Sequence, residues 1–281
     1  MWRNDVPSHA SRDGCRSAAR LLLLTLTLAG TVCGPSRADW DPGDPFKMHF
    51  PQLPDPNGWD ILFVGPINEV ADDWQCTASG PVTDLHFWYS IQGDGAAAIS
   101  SVTANVYGNN PGPPSTPTSL LWSGTFSGQQ LVTRLSGSGT QGFADPKLGP
   151  IGWVRPDHAN FYQLNITGIE NPFVQEQGQI YWLGLHVATT GTAAVGWKTT
   201  LNPFLDDAVY RGPGFGWEEL VAPLQGSQNM AFVVTPEPGS LALAAVGVAG
   251  AVGIVRRRRS RREGTGWHSD DHRHPAVRSG P

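Results

Sequence analysis

TDLHFWYSI, residues 83–91, alternates with a period of two. Leu85, Phe87, Tyr89 and Ile91 fall on one face of an extended chain, and His86 and Trp88 on the other. That spacing suits a strand; a helix would repeat its apolar positions every three or four residues. The same alternation returns in SVTANVYG (101–108), FYQLNITGI (161–169), QIYWLGLHV (179–187) and NMAFVVT (229–235). LLWSGTF (120–126) and AVGWKTT (194–200) read as further strands, separated by turn-rich stretches such as GNNPGPPSTP (108–117). About eight to ten such strands with turn signals predict an all-β fold, an antiparallel β-sandwich or jelly roll in one domain. The Pro-rich residues 39–57 are expected to lead in as extended chain.

Charge is unevenly spread over the 281 residues. Between Asp39 and Thr235 there are 13 Asp and 5 Glu against 3 Lys and 3 Arg, a net charge of −12. Such a domain is a poor partner for nucleic acid, whose phosphates need Lys and Arg. Cys15 and Cys33 precede the expected mature start, which leaves Cys76 without an internal disulfide partner. It reads as a buried thiol.

Both ends read as addresses. Arg3, Arg12, Arg16 and Arg20 precede the apolar LLLLTLTLAGTV (21–32), and Ser36 and Ala38 supply small residues at a cleavage site. A signal peptide over 1–38, cut after Ala38, is expected. At the other end, Leu241–Val255 is a run of 15 uncharged residues, ~22 Å as a helix against ~30 Å of hydrocarbon. With Gly239 and Ser240 it predicts a transmembrane segment over 239–255. The arginines within 256–262 can snorkel and hold the tail in the cytoplasm.

Pro236-Glu237-Pro238, then the apolar segment, then Arg256, Arg257, Arg258 and Arg259 together resemble the PEP-CTERM sorting signal. The resemblance implies a Gram-negative host, recognition and processing near Pro236, Glu237 and Pro238, and retention by the arginines. The implied partner is an exosortase, an integral-membrane processing enzyme. The protein would be exported, transiently anchored in the membrane, and then left at the cell surface or in the extracellular matrix. Residues 263–281 continue past the usual end of such signals and read as a disordered cytoplasmic tail. GWDI (58–61), ADDWQCT (71–77), GPVTDLHFW (80–88), GWKT (196–199) and DDAVY (206–210) resemble an uncharacterised family of secreted bacterial domains, one often joined to this signal. That resemblance implies a location and a β-rich fold and brings no activity.

Chemistry is harder to read. Asp72, Asp73, Asp206 and Asp207, with Asp84, Asp94 and Asp145, are candidate oxygen ligands for a structural Ca²⁺, although no contiguous Ca²⁺ loop is present. The alternative is solvated turn carboxylates. A glycosidase could use the same acids if two stood ~5–9.5 Å apart. No H-E-x-x-H and no G-x-S-x-G is found. If the strands bearing them pair, His86, Trp88, Trp182 and His186 share an outer face that could stack on sugars. The alternative is that loops or the lead-in cover that face. Trp59, Trp153 and Trp217 are other stacking candidates. The reading is a non-enzymatic envelope or exopolysaccharide-matrix protein. A lectin-like module, Ca²⁺-dependent or not, is the first alternative, and a carbohydrate-active hydrolase is the weaker one.

Overall fold

The structure, a computed structural model, describes residues 39–65, 68–212, 214, 216–222 and 226–236. These form sixteen strands, more than the alternation suggested, because several are only two to four residues long. In chain order the first eight are β1 (Trp59–Leu62), β2 (Glu69–Gln75), β3 (Gly80–Val82), β4 (Asp84–Ile91), β5 (Ala97–Asn110), β6 (Thr116–Ser127), β7 (Leu131–Ala144) and β8 (Trp153–Ile166). The rest are β9 (Phe173–Gln175), β10 (Ile180–Gly191), β11 (Val195–Lys198), β12 (Val209–Arg211), β13 (Glu218–Glu219), β14 (Val221–Ala222), β15 (Gly226–Ser227) and β16 (Phe232–Thr235).

Two six-stranded sheets carry the fold, in the orders β11-β1-β7-β8-β4-β16 and β13-β12-β2-β10-β5-β6. Their pairings are antiparallel except β1 with β7. The expected sandwich is thus present, with one feature the alternation did not announce. β11 also pairs with β4, through Val195 to Trp197 against Ile91 to Tyr89, so five strands of the first sheet close into a ring.

Aromatic side chains bridge the two sheets. Trp74 on β2 meets Phe232 on β16 edge to face at 6.3 Å, and Phe87 and Trp197 pack at 6.3 Å in the same core. Burying each such ring contributes about 1.5–3 kcal/mol. Cys76 is buried beside them, its thiol donating to the Ala78 carbonyl at 3.3 Å, and burial raises its pKa.

The lead-in is not a loose arm. The N–H of Lys47 donates to the carbonyl of Val234 and that of Gln52 to the carbonyl of Phe232. Nearer its start it crosses the face of β4 that carries His86 and Trp88. There Gln163 Nε2 donates to the Trp40 carbonyl at 2.8 Å and Asn165 Nδ2 to Asp39 Oδ1 at 3.0 Å. β4 is therefore buried on both faces except at Ile91.

Candidate functional site

β2 lies between β12 and β10, and this placement takes Asp72 and Asp73 out of water. Both side chains are fully buried. Asp72 is well satisfied: Oδ1 accepts the N–H of Asp73 at 2.9 Å and Oδ2 that of Met230 at 2.6 Å. Its pKa is nevertheless pushed well above the carboxylate range, first by burial and then by the charge of Asp73. Neither oxygen of Asp73 accepts a hydrogen bond from another residue. Burial, followed by the charge of Asp206, raises its pKa to about 8.

Asp206 and Asp207 stand just before β12. Asp206 Oδ2 accepts the Ser115 N–H at 2.7 Å and the Ser115 hydroxyl at 3.2 Å, and backbone donors hold its pKa below the usual value. Asp207 accepts the Ser227 hydroxyl. Burial and the charges of Glu219 and Asp206 raise its pKa. Carboxylate oxygens of Asp206, Asp207 and Glu219 lie within 4.8 Å of one another. The fold thus joins Asp206 and Asp207 to Glu219, which the sequence reading missed because it follows on a short strand with no motif. Asp72 and Asp73 on β2 feel the charges of Asp207 and Asp206 but stand outside that cluster. Asp84, Asp94 and Asp145 are elsewhere and accept turn N–H groups, from Gly168, from Ala159 and Asn160, and from Lys147.

A second polar cluster went unread. Asp60, His158 and Lys198 meet on the face opposite the sandwich core. Asp60 Oδ2 is 3.0 Å from His158 Nε2 and 3.1 Å from Lys198 Nζ, and all three side chains are fully buried. His158 Nδ1 reaches Asp157 at 2.8 Å. Burial opposes charging His158, but Asp60 and Asp157 outweigh it and raise its pKa. Burial lowers that of Lys198 against the pull of Asp60. Asp60 and Lys198 are direct cross-strand partners on β1 and β11. The one available signal was a lone Lys inside an otherwise apolar strand.

The aromatic residues do not meet as expected. β4 belongs to the first sheet and β10 to the second, so His86 and Trp88 do not share a face with Trp182 and His186. His86 bonds to Asn165 at 2.7 Å, and burial lowers its pKa to about 4. Trp88 packs edge-on against Trp40 at 6.3 Å and donates to Ser136. Trp182 is buried with Ala71, Tyr107 and Val209 and donates to Asn109 Oδ1 at 2.8 Å. His186 is half-buried. Trp59 packs on half-buried Trp153 at 5.0 Å, and Arg211 stacks over Trp217 at 4.4 Å. Beside Trp88 the lead-in leaves an open cleft of about 440 Å³, bordered by Trp40, Arg134, Leu135, Phe161 and Gln163 among others.

Fold and site define an acidic all-β domain whose most reactive-looking groups are folded inward. Residues 48–235 match the family model described as Domain of unknown function (DUF7901), well over half of the chain, and the chain belongs to that family. Residues 234–259 match the PEP-CTERM protein-sorting motif. No curated protein and no solved structure matches. The motif marks an exosortase-sorted extracellular protein, exported and handled at the membrane on its way to the cell surface or beyond. Of that motif only residues 234–236 are described, and β16 ends at Thr235 within it. Glu237, Pro238, the apolar 239–255, Arg256 to Arg259 and the tail lie outside the described residues, as does the expected signal peptide.

Proposed function

We propose that the chain is a non-enzymatic structural protein of the cell envelope or exopolysaccharide matrix, delivered there by its sorting motif. One observation carries this reading: Asp72, Asp73, Asp60, His158 and Lys198, the groups best suited to acid-base chemistry, are fully buried in the sandwich. Asp72 and Asp73 are neighbours on one strand and cannot flank a glycosidic bond as a hydrolase's acid pair must. The test is a deletion strain compared with its parent. The matrix should lose cohesion on deletion and regain it with the wild-type gene. The purified full chain, in detergent, should not shorten the host exopolysaccharide. Polysaccharide cleavage, or a matrix unchanged by deletion, would refute the reading.

The cleft beside Trp88 favours a second reading, a lectin-like module. Aromatic rings next to Arg134 and Gln163 offer stacking together with hydroxyl recognition. Leu135, 62% exposed, borders the cleft. Saturable capture of host exopolysaccharide that is lost in Leu135→Glu would support this reading over the first.

A further inference from the structure

We infer that Asp60 and Lys198 condense into an isopeptide bond, an amide linking β1 to β11, with His158 moving the protons. The two residues are direct cross-strand partners, 138 residues apart in the chain. Lys198 Nζ lies 3.1 Å from Asp60 Oδ2, and both side chains are wholly out of water. A buried ion pair that is only structural needs its oxygens and N–H groups engaged all round. This pair is lopsided. Lys198 Nζ and His158 Nε2 both crowd Oδ2, whereas the equally buried Oδ1 has no hydrogen-bond partner. Lys198 Nζ makes no other hydrogen bond among the described residues, and the Phe161 ring faces it at 5.4 Å. With the protons gathered on Oδ2, Oδ1 is left as a bare carbonyl oxygen and Cγ is open to attack by an amine.

The step balances without an outside reactant. Lys198 first passes a proton to Asp60 across their contact, giving a neutral amine and a neutral acid, the pair that a dry interior favours. Burial already lowers the Lys198 pKa. The Nζ lone pair adds to Cγ of Asp60, and a nitrogen–carbon bond forms. His158 sits between Asp60 Oδ2 at 3.0 Å and Asp157 at 2.8 Å. Burial opposes a proton on His158, but Asp60 and Asp157 outweigh it. Nε2 gives that proton to Oδ2 and recovers one from the nitrogen, so the bond from Cγ to Oδ2 breaks and Oδ2 leaves as water. Oδ1 stays as the amide carbonyl, a smaller burden when unpaired than a buried carboxylate. One ammonium and one carboxylate thus yield one amide and one water. Holding both groups in contact supplies the effective concentration that free amines and acids lack. Residues 39–235 hold a single cysteine, so no disulfide can staple them internally; a bond closing so long a loop would constrain the unfolded chain in the same manner.

The experiment is peptide mass spectrometry on the full chain, purified in detergent, then denatured and digested with trypsin. Trypsin cuts after Lys and Arg except before Pro, so Asp60 falls in the peptide 48–134 and a blocked Lys198 in 148–211. The expected product is one branched peptide joining these two, lighter than their sum by one water, with fragments that place the link at Asp60 and Lys198. Recovery of 48–134 as a linear peptide, with the chain cut after Lys198, overturns the proposal. So does a water loss confined to Asp94-Gly95, where an aspartate can cyclise onto its own backbone. Lys198→Arg keeps the positive charge and removes the nucleophile; it should yield linear peptides alone, and a persisting branch would overturn the assignment. His158→Gln should slow appearance of the branched peptide after synthesis by ~100-fold or more, the usual worth of a positioned acid-base group; an unslowed rate overturns the role given to His158. The wild-type digest decides the matter even if a variant fails to fold. The matrix reading does not depend on this bond, and the two fail separately.

Discussion

In metal-free buffer, Asp73→Asn should change how stability depends on pH. The Asp73 pKa is about 8 in the folded chain and ~3.9 in the unfolded one. Between those values the native state keeps a proton that the unfolded state releases, so stability falls as pH rises. The contribution is complete below pH ~4 and gone above pH ~8; from pH 5 to pH 8 the loss is about 4 kcal/mol. Asparagine keeps the shape and cannot titrate. Asp72 shifts in the same direction, first through burial and in part through the charge of Asp73, so the difference between the two proteins reports Asp73 together with its effect on Asp72. The assay is urea unfolding followed by tryptophan fluorescence, in EDTA, at pH 5 and pH 8. The wild type should lose about 4 kcal/mol more than the variant over that interval. A difference below about 1 kcal/mol would refute the reasoning, since it would mean that Asp73 is ionised in the fold at both pH values.

Three further outcomes are expected. Lys198→Met leaves Asp60 buried with only His158 for compensation and should cost about 3–5 kcal/mol in urea unfolding. Gly184→Ala would place a methyl 2.2 Å from Glu69 Oε1 and 2.9 Å from the Tyr107 ring; this overpacking should cost about 1–3 kcal/mol, read as a lower Tm. Replacing Pro236, Glu237 and Pro238 with alanine should leave unprocessed precursor in the membrane fraction, visible as a longer band on an immunoblot.

The strands were legible where apolar residues alternate. TDLHFWYSI became β4, QIYWLGLHV entered β10 and AVGWKTT entered β11. β7 was not legible: LVTRLSGSGTQGFA carries too little apolar alternation, and β8, which runs alongside almost its whole length, holds it in the sheet. β2 was missed for the opposite reason. Two adjacent aspartates in EVADDWQ look like a turn, and only the strands on either side make them interior. Asp72, Asp73, Asp206 and Asp207 were named from sequence and Glu219 was not; that the two pairs feel one another depends on pairing between β2 and β12, about 140 residues apart along the chain. The aromatic face failed at the same step: alternation assigns a residue to a side of its strand and does not say which strands are neighbours.

β16 carries a consequence for mechanics. Its carbonyls at Phe232 and Val234 accept N–H groups of the lead-in, while its length also pairs with β4. A protein tethered through its C-terminus feels drag as tension entering at Thr235, where the sorting motif takes over. A strand bonded along one edge can be peeled away one link at a time. This strand is clamped on both edges, so load must break two ladders together, and the lead-in serves as the second jaw of that clamp.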